Sequence, residues 1–247
     1  MEPGQDAWDY FSGCVPAYCI FSMHLDGILE LLRTPSKPYD STVDELAFIG
    51  VVAYTEAFFK DHFASIVNVF PQRVSQLKKG GRKLKVDLTD ILELAPPFPS
   101  KFGFLLSERL NFGNPKKINA LYRDLLLITP FSGNKAAEFD QVLKTRNLLV
   151  HHGGMITMQF NREIPAGTRE RTFMDSIRVT KAQVCKAAIL ANEVASDTVR
   201  ATIARLSIEL DKLDPSDARR RVVGLMGDFL DHSDPLMASL RELCAAN

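Results

Sequence analysis

A chain of 247 residues with 46% hydrophobic and 24% charged side chains can bury a substantial core, which excludes a disordered or fibrous protein. Thirty basic residues balance thirty acidic ones, so no bulk positive field draws in nucleic acid, and RNA binding would need a local patch. The longest apolar run, around Phe48 to Tyr54, is too short to span a bilayer, and no membrane association is expected. Cys14, Cys19, Cys185 and Cys244 lack the paired short spacing of a zinc site, and no secretory signal precedes them. A cytoplasmic protein with reduced cysteines, no metal and no cofactor is the expectation.

Most segments read as helix. Ala17 to Leu32 makes a first amphipathic helix, closed by Pro35, Ser36 and Pro38. Ser41 is placed to cap a long helix that carries Asp44 and Glu45 in its first turn and runs to Val69. Shorter helices are expected near Leu88–Leu94, Pro99–Leu110 and Pro115–Leu127, the last opened by Asn114-Pro115. A further helix from Asn134 to His152 stops at Gly153-Gly154. Met155 to Phe160 has strand-like composition, and Pro165-Ala166-Gly167 separates it from Thr172–Val179, so a small β-hairpin is expected near 155–179. Thr180 opens a helix of about thirty residues that breaks at Asp214-Pro215, with one or two shorter helices after it. The reading is an all-α bundle with a hairpin insertion: residues 1–40 pack on a core of residues 41–213, and residues 214–247 extend it.

Helical angles single out two charges. At about 100° per residue, Tyr54, Asp61, Ser65 and Asn68 share a polar side of the long helix, opposite Ile49, Val52, Phe59, Phe63 and Val67. Glu56 falls in the middle of that apolar side. On the helix that ends at Gly153, Phe139, Val142, Leu143, Leu149 and Val150 group on one face, with Arg146 at its centre. A lone buried carboxylate or guanidinium costs several kcal/mol, so the two intruders are expected to pair. Such a pair can serve as a packing device alone, or it can aim the remaining arginine donors at a phosphate.

The residues just after Arg146 suggest chemistry. Asn147 and His151 lie about 40° apart on the flank, one turn from each other. A neutral histidine can act as a general base while a cationic donor stabilises charge on the same phosphate. Arg146 and His151, however, stand about 140° apart and about 7.5 Å along an ideal helix axis. They converge only if the arginine reaches along the helix, the last turn unwinds, or a second subunit completes the site. His152 reads as a solvated helix-end residue, and His24, His62 and His232 as isolated. The densest basic run holds Lys78, Lys79, Arg82, Lys83 and Lys85, either a phosphate-binding loop or a solvated connection.

The run from Arg146 and Asn147 to His151, with four residues between arginine and histidine, resembles the signature of the HEPN family. The likeness spreads over residues 41–154. Glu56 with Ala57-Phe58-Phe59, then Asn111-Phe112-Gly113-Asn114-Pro115, then Ile118 to Leu125 look like the larger HEPN proteins of the RiboL-PSP and MAE type. The resemblance implies an antiparallel HEPN-type bundle and a metal-independent endoribonuclease of a toxin–antitoxin or antiphage system, acting on RNA as a homodimer with facing motifs. It assigns acid–base work to His151, charge stabilisation to Arg146, positioning to Asn147 and orientation of Arg146 to Glu56, with 2′,3′-cyclic phosphate and 5′-hydroxyl products. A neutralising partner protein is also implied. Gly153 stands where toxins silenced by a nucleotidyltransferase often carry tyrosine, which argues against that route of silencing. The competing expectation is a HEPN-fold partner protein without catalysis that acts through dimerisation.

Overall fold

The computed structural model describes residues 6–34, 41–81, 84, 88–93, 98–163 and 175–245. Among them are eleven α-helices: α1 Ala17–Arg33, α2 Thr42–Val69, α3 Val74–Lys79, α4 Leu88–Glu93, α5 Phe98–Glu108, α6 Pro115–Leu126, α7 Gly133–His152, α8 Met158–Glu163, α9 Lys181–Leu210, α10 Arg219–Gly227 and α11 Ser233–Ala245. The all-α class is therefore correct, and helix ends follow local chemistry. Asn114 accepts the Lys117 N–H at 2.9 Å to start α6, and Thr180 with Gln183 forms a capping box on α9. Ser41 does not cap α2 as expected: its hydroxyl donates to the Glu45 carboxylate at 2.7 Å. No described helix is long and apolar enough to cross a membrane.

The central element is α2, which packs against α1, α5, α7 and α9. From His62 to Val69 it is buried on every side, so the end of the expected polar side is not a solvent face. Its polar groups are instead satisfied internally. Ser65 donates to the Asp61 carbonyl at 2.8 Å, and Asn68 bridges the Tyr10 carbonyl at 3.1 Å and the Gly103 N–H. His62 is buried with Nε2 3.1 Å from the Thr202 hydroxyl of α9 and its ring stacked near Phe58 and Tyr122. On the far side, Tyr18 of α1 donates to Asn192 of α9 at 2.8 Å, and Asn192 donates to Ser233 of α11 at 3.1 Å. One polar chain thus fixes three helices that are far apart in sequence.

Helices α2 and α5 approach closely because Gly103 has no side chain. A Cβ built there would collide with the Ala64 carbonyl oxygen. Gly103→Ala is expected to destabilise the protein by about 1–3 kcal/mol through overpacking. A denaturation midpoint equal to wild type would show that the two helices can part freely.

The hairpin expected after α7 does not form among the described residues. Met155 and Ser176 make an isolated antiparallel bridge, with Ile156 N–H donating to Asp175 at 2.8 Å and Ile177 N–H to Gly154 at 2.9 Å. Met158 to Phe160, the second half of the strand expected over Met155 to Phe160, instead open the short helix α8 Met158–Glu163. Thr157 starts it by accepting the Phe160 N–H at 3.2 Å, and Met158, Gln159, Arg162 and Glu163 all favour helix over strand. The turn expected at Pro165-Ala166-Gly167 lies outside the described residues.

Candidate functional site

The register between α2 and α7 is set by aromatic packing. Phe59 of α2, Phe131 of the loop before α7 and Phe139 of α7 pack in a row as tilted rings, with centroids 5.4 and 5.2 Å apart. The Tyr122 hydroxyl adds a hydrogen bond of 3.2 Å to the Phe59 carbonyl. From that row, one turn back along α2 and two turns forward along α7 put Glu56 opposite Arg146. There Arg146 Nη2 donates to Glu56 Oε1 at 2.7 Å.

This pair is less buried than periodicity implies, with 21% of the Arg146 side chain and 29% of the Glu56 side chain exposed. Both groups keep part of their hydration, so the expected cost of Glu56→Ala falls from several kcal/mol to about 1 kcal/mol. A chemical-denaturation difference well above that would mean that the pair is effectively buried in solution. The rest of the apolar face also differs in detail. Val150 is exposed, whereas Leu148, on the other side of the helix, is buried, because the chain doubles back over the end of α7.

Helix α7 stays helical through His152, so the last turn does not unwind to bring Arg146 and His151 together. Gly153 at φ +56° and Gly154 at φ +80° then reverse the chain, and the Gly154 N–H donates to the Leu148 carbonyl at 3.1 Å. Two successive left-handed residues are what only glycine adopts without strain. Asn147 and His151 are exposed and have no hydrogen-bond partner among the described residues. Arg146 uses one N–H on Glu56, which leaves four of the five guanidinium donors for a ligand.

Beside Glu56 the surface opens into a cleft of about 410 Å³, also lined by Lys60, Arg109, Asn111, Phe112 and Gly113. Lys60 lies one helical turn beyond Glu56. Arg109 is held by Asp90 at 2.8 Å, and the Asn111 side chain accepts the Gly113 N–H at 2.9 Å. Neither Lys60 nor Arg109 was marked by sequence, although Lys60 shares the face of Glu56 and Asn111–Gly113 belongs to the resembling segment. Lys78 and Lys79 end the short helix α3 and are exposed, and neither lines the cleft beside Glu56. Arg82, Lys83 and Lys85 lie outside the described residues. Among the described residues no three His, Cys, Asp or Glu side chains are grouped to hold a metal ion.

Comparison of the chain with protein-family models, curated proteins and solved structures finds no match. The geometry of the α2–α7 face is therefore what a functional reading rests on.

Proposed function

We propose that the chain is a HEPN-type endoribonuclease that cleaves RNA by attack of its own 2′-hydroxyl. The observation that carries this reading is the Glu56–Arg146 pair, which holds a guanidinium with free donors about one and a half turns before the exposed His151; of the candidate site residues, Glu56 alone lines the neighbouring cleft. His151 takes the 2′-hydroxyl proton. The 2′-oxygen bonds to the adjacent phosphorus, the bond to the 5′-oxygen breaks, and that oxygen leaves with the proton returned by the His151 imidazolium. Arg146 stabilises the charge gathered on the phosphorane, and Asn147 holds the phosphate or the imidazole. The products carry a 2′,3′-cyclic phosphate and a 5′-hydroxyl, and the chemistry calls on no metal.

With α7 regular to its end, a single chain keeps Arg146 and His151 apart, which favours a homodimer that sets His151 of one copy near Arg146 of the other. Val150, Met155 and Met158, each about half exposed around the end of α7, supply apolar surface for that contact. Light scattering is expected to give twice the chain mass at micromolar concentration. Single-stranded RNA incubated with the protein and a chelator is expected to be cut, with end-group analysis finding the cyclic phosphate. A protein that dimerises but leaves varied RNAs intact fits the alternative, a HEPN-fold partner protein in which the ion pair only fixes helix packing.

A further inference from the structure

A second site lies past the end of α2, roughly 20 Å along that helix from Glu56. Helix α6 ends there without the usual glycine. Leu127 takes the left-handed conformation at φ +62°, and its side chain is 75% exposed. A bulky non-glycine residue held in that region stores backbone strain, and strain of this kind concentrates where a ligand is held. The exposed carbonyls of the last turn are taken by two arginines. Arg73 Nη1 donates to Leu125 at 2.6 Å, and Arg205 Nε donates to Leu126 at 3.1 Å.

The two arginines are not equivalent. Arg73 is tied down at every nitrogen, since its Nε and Nη2 both bond the Glu209 carboxylate. Arg205 is half-buried, and its Nη1 and Nη2 have no partner among the described residues. Both border a cavity of about 440 Å³ that Gln72, Gln76, Asp124 and Leu127 also line. That volume suits a small organic ligand rather than a lone ion. The open guanidinium edge of Arg205 matches a phosphate. Leu127 offers an apolar plate beside it. The two glutamine amides donate and accept.

From this juxtaposition of an open arginine fork, two amide groups and a strained, exposed leucine around one cavity, we infer that the chain binds a nucleotide between α3, α6 and α9, phosphate on Arg205 and base on Leu127. The nucleotide is either a free mononucleotide or one residue of an RNA strand. This site stands apart from the α7 motif and does not depend on the ribonuclease reading.

The test is calorimetric titration of the full chain with adenosine 5′-monophosphate, with inorganic phosphate, and with a short 2′-O-methyl oligonucleotide that cannot be cleaved by 2′-oxygen attack. One mononucleotide is expected to bind per chain, more tightly than phosphate. Arg205→Gln is expected to weaken both by about tenfold, the loss of a charged hydrogen bond. Leu127→Gly relieves the strain and is expected to weaken the mononucleotide alone, with the melting temperature kept or raised. An oligonucleotide that binds more tightly and shares these sensitivities identifies an RNA strand as the source; one that binds no better identifies the free nucleotide. Should Arg205→Gln fold poorly, Gln76→Ala on the exposed rim is expected to weaken the mononucleotide. No saturable binding at millimolar concentration overturns the inference, as does affinity indifferent to Arg205→Gln or, in its place, Gln76→Ala. Phosphate bound as well as the mononucleotide, with Leu127→Gly silent, overturns the nucleotide assignment in favour of a plain anion site.

Discussion

His151→Ala is expected to abolish RNA cleavage while leaving the melting curve of the protein where it was. The two halves of that result have separate causes. His151 is exposed in the last turn of α7, touches no described partner and lies off the inward face, so its loss removes no packing. Removal of a general base costs about 10²- to 10⁴-fold in rate, enough to erase a slow ribonuclease activity. Arg146→Ala is expected to lose both activity and about 1 kcal/mol of stability, since it strands the partly exposed Glu56 carboxylate. Asn147→Ala, at an exposed position that orients rather than transfers protons, is expected to fall between. The measurements are initial rates on one RNA substrate beside thermal melts of the three variants. Full activity in His151→Ala would falsify the catalytic reading and leave the Glu56–Arg146 pair as a packing device.

Acid is expected to unfold the protein through His62. Burial among Phe58, Tyr122 and Thr202 pushes its pKa down from 6.5 to about 3. In the unfolded chain the same imidazole takes up a proton below about 6.5. Between those values the unfolded state binds more protons, so stability is full above about pH 6.5 and drains as pH falls towards about 3. At about 1.4 kcal/mol per unit, the drop from about pH 7 to about pH 5 amounts to about 2 kcal/mol. Burial raises the pKa of the neighbouring Asp61, which works in the opposite sense as that carboxyl protonates in the folded state. Asp217, held down to about 2 by Arg219, contributes only below the unfolded carboxylate range. The loss of stability over about pH 5–7 is therefore His62's contribution, and Asp61 and Asp26, both raised by burial, oppose it. Denaturation midpoints of wild type and His62→Phe at both pH values provide the check. Phenylalanine keeps the ring stacking, and the Thr202 hydroxyl can turn to its own helix. A wild-type slope that survives in His62→Phe would place the acid sensitivity elsewhere.

The sequence by itself determined the helical class and most helix limits, since capping residues, glycine stops and apolar spacing act over a few neighbouring positions. Asn114 at the start of α6, Thr180 at the start of α9 and the Gly153-Gly154 stop are of this kind. Angular position also drew Glu56 and Arg146 together, because a charge on an apolar stripe needs a partner, and few others were on offer. Tertiary structure decided the rest. It turned the polar side of α2 into core, because Asn68 and His62 found partners in α5 and α9 that no local pattern announces. It wound Met158–Glu163 into a helix where β-forming letters at Ile156, Thr157 and Phe160 suggested a strand. It set Glu56 beside Lys60, Arg109 and Asn111 and left Lys78 and Lys79 elsewhere. The reason is one of range: a helix is specified by contacts three and four residues apart, whereas a cleft is specified by which helices meet and in what register. That register depends on the fit of Phe59 to Phe131 and Phe139 and on the room left by Gly103, which are properties of shape in three dimensions.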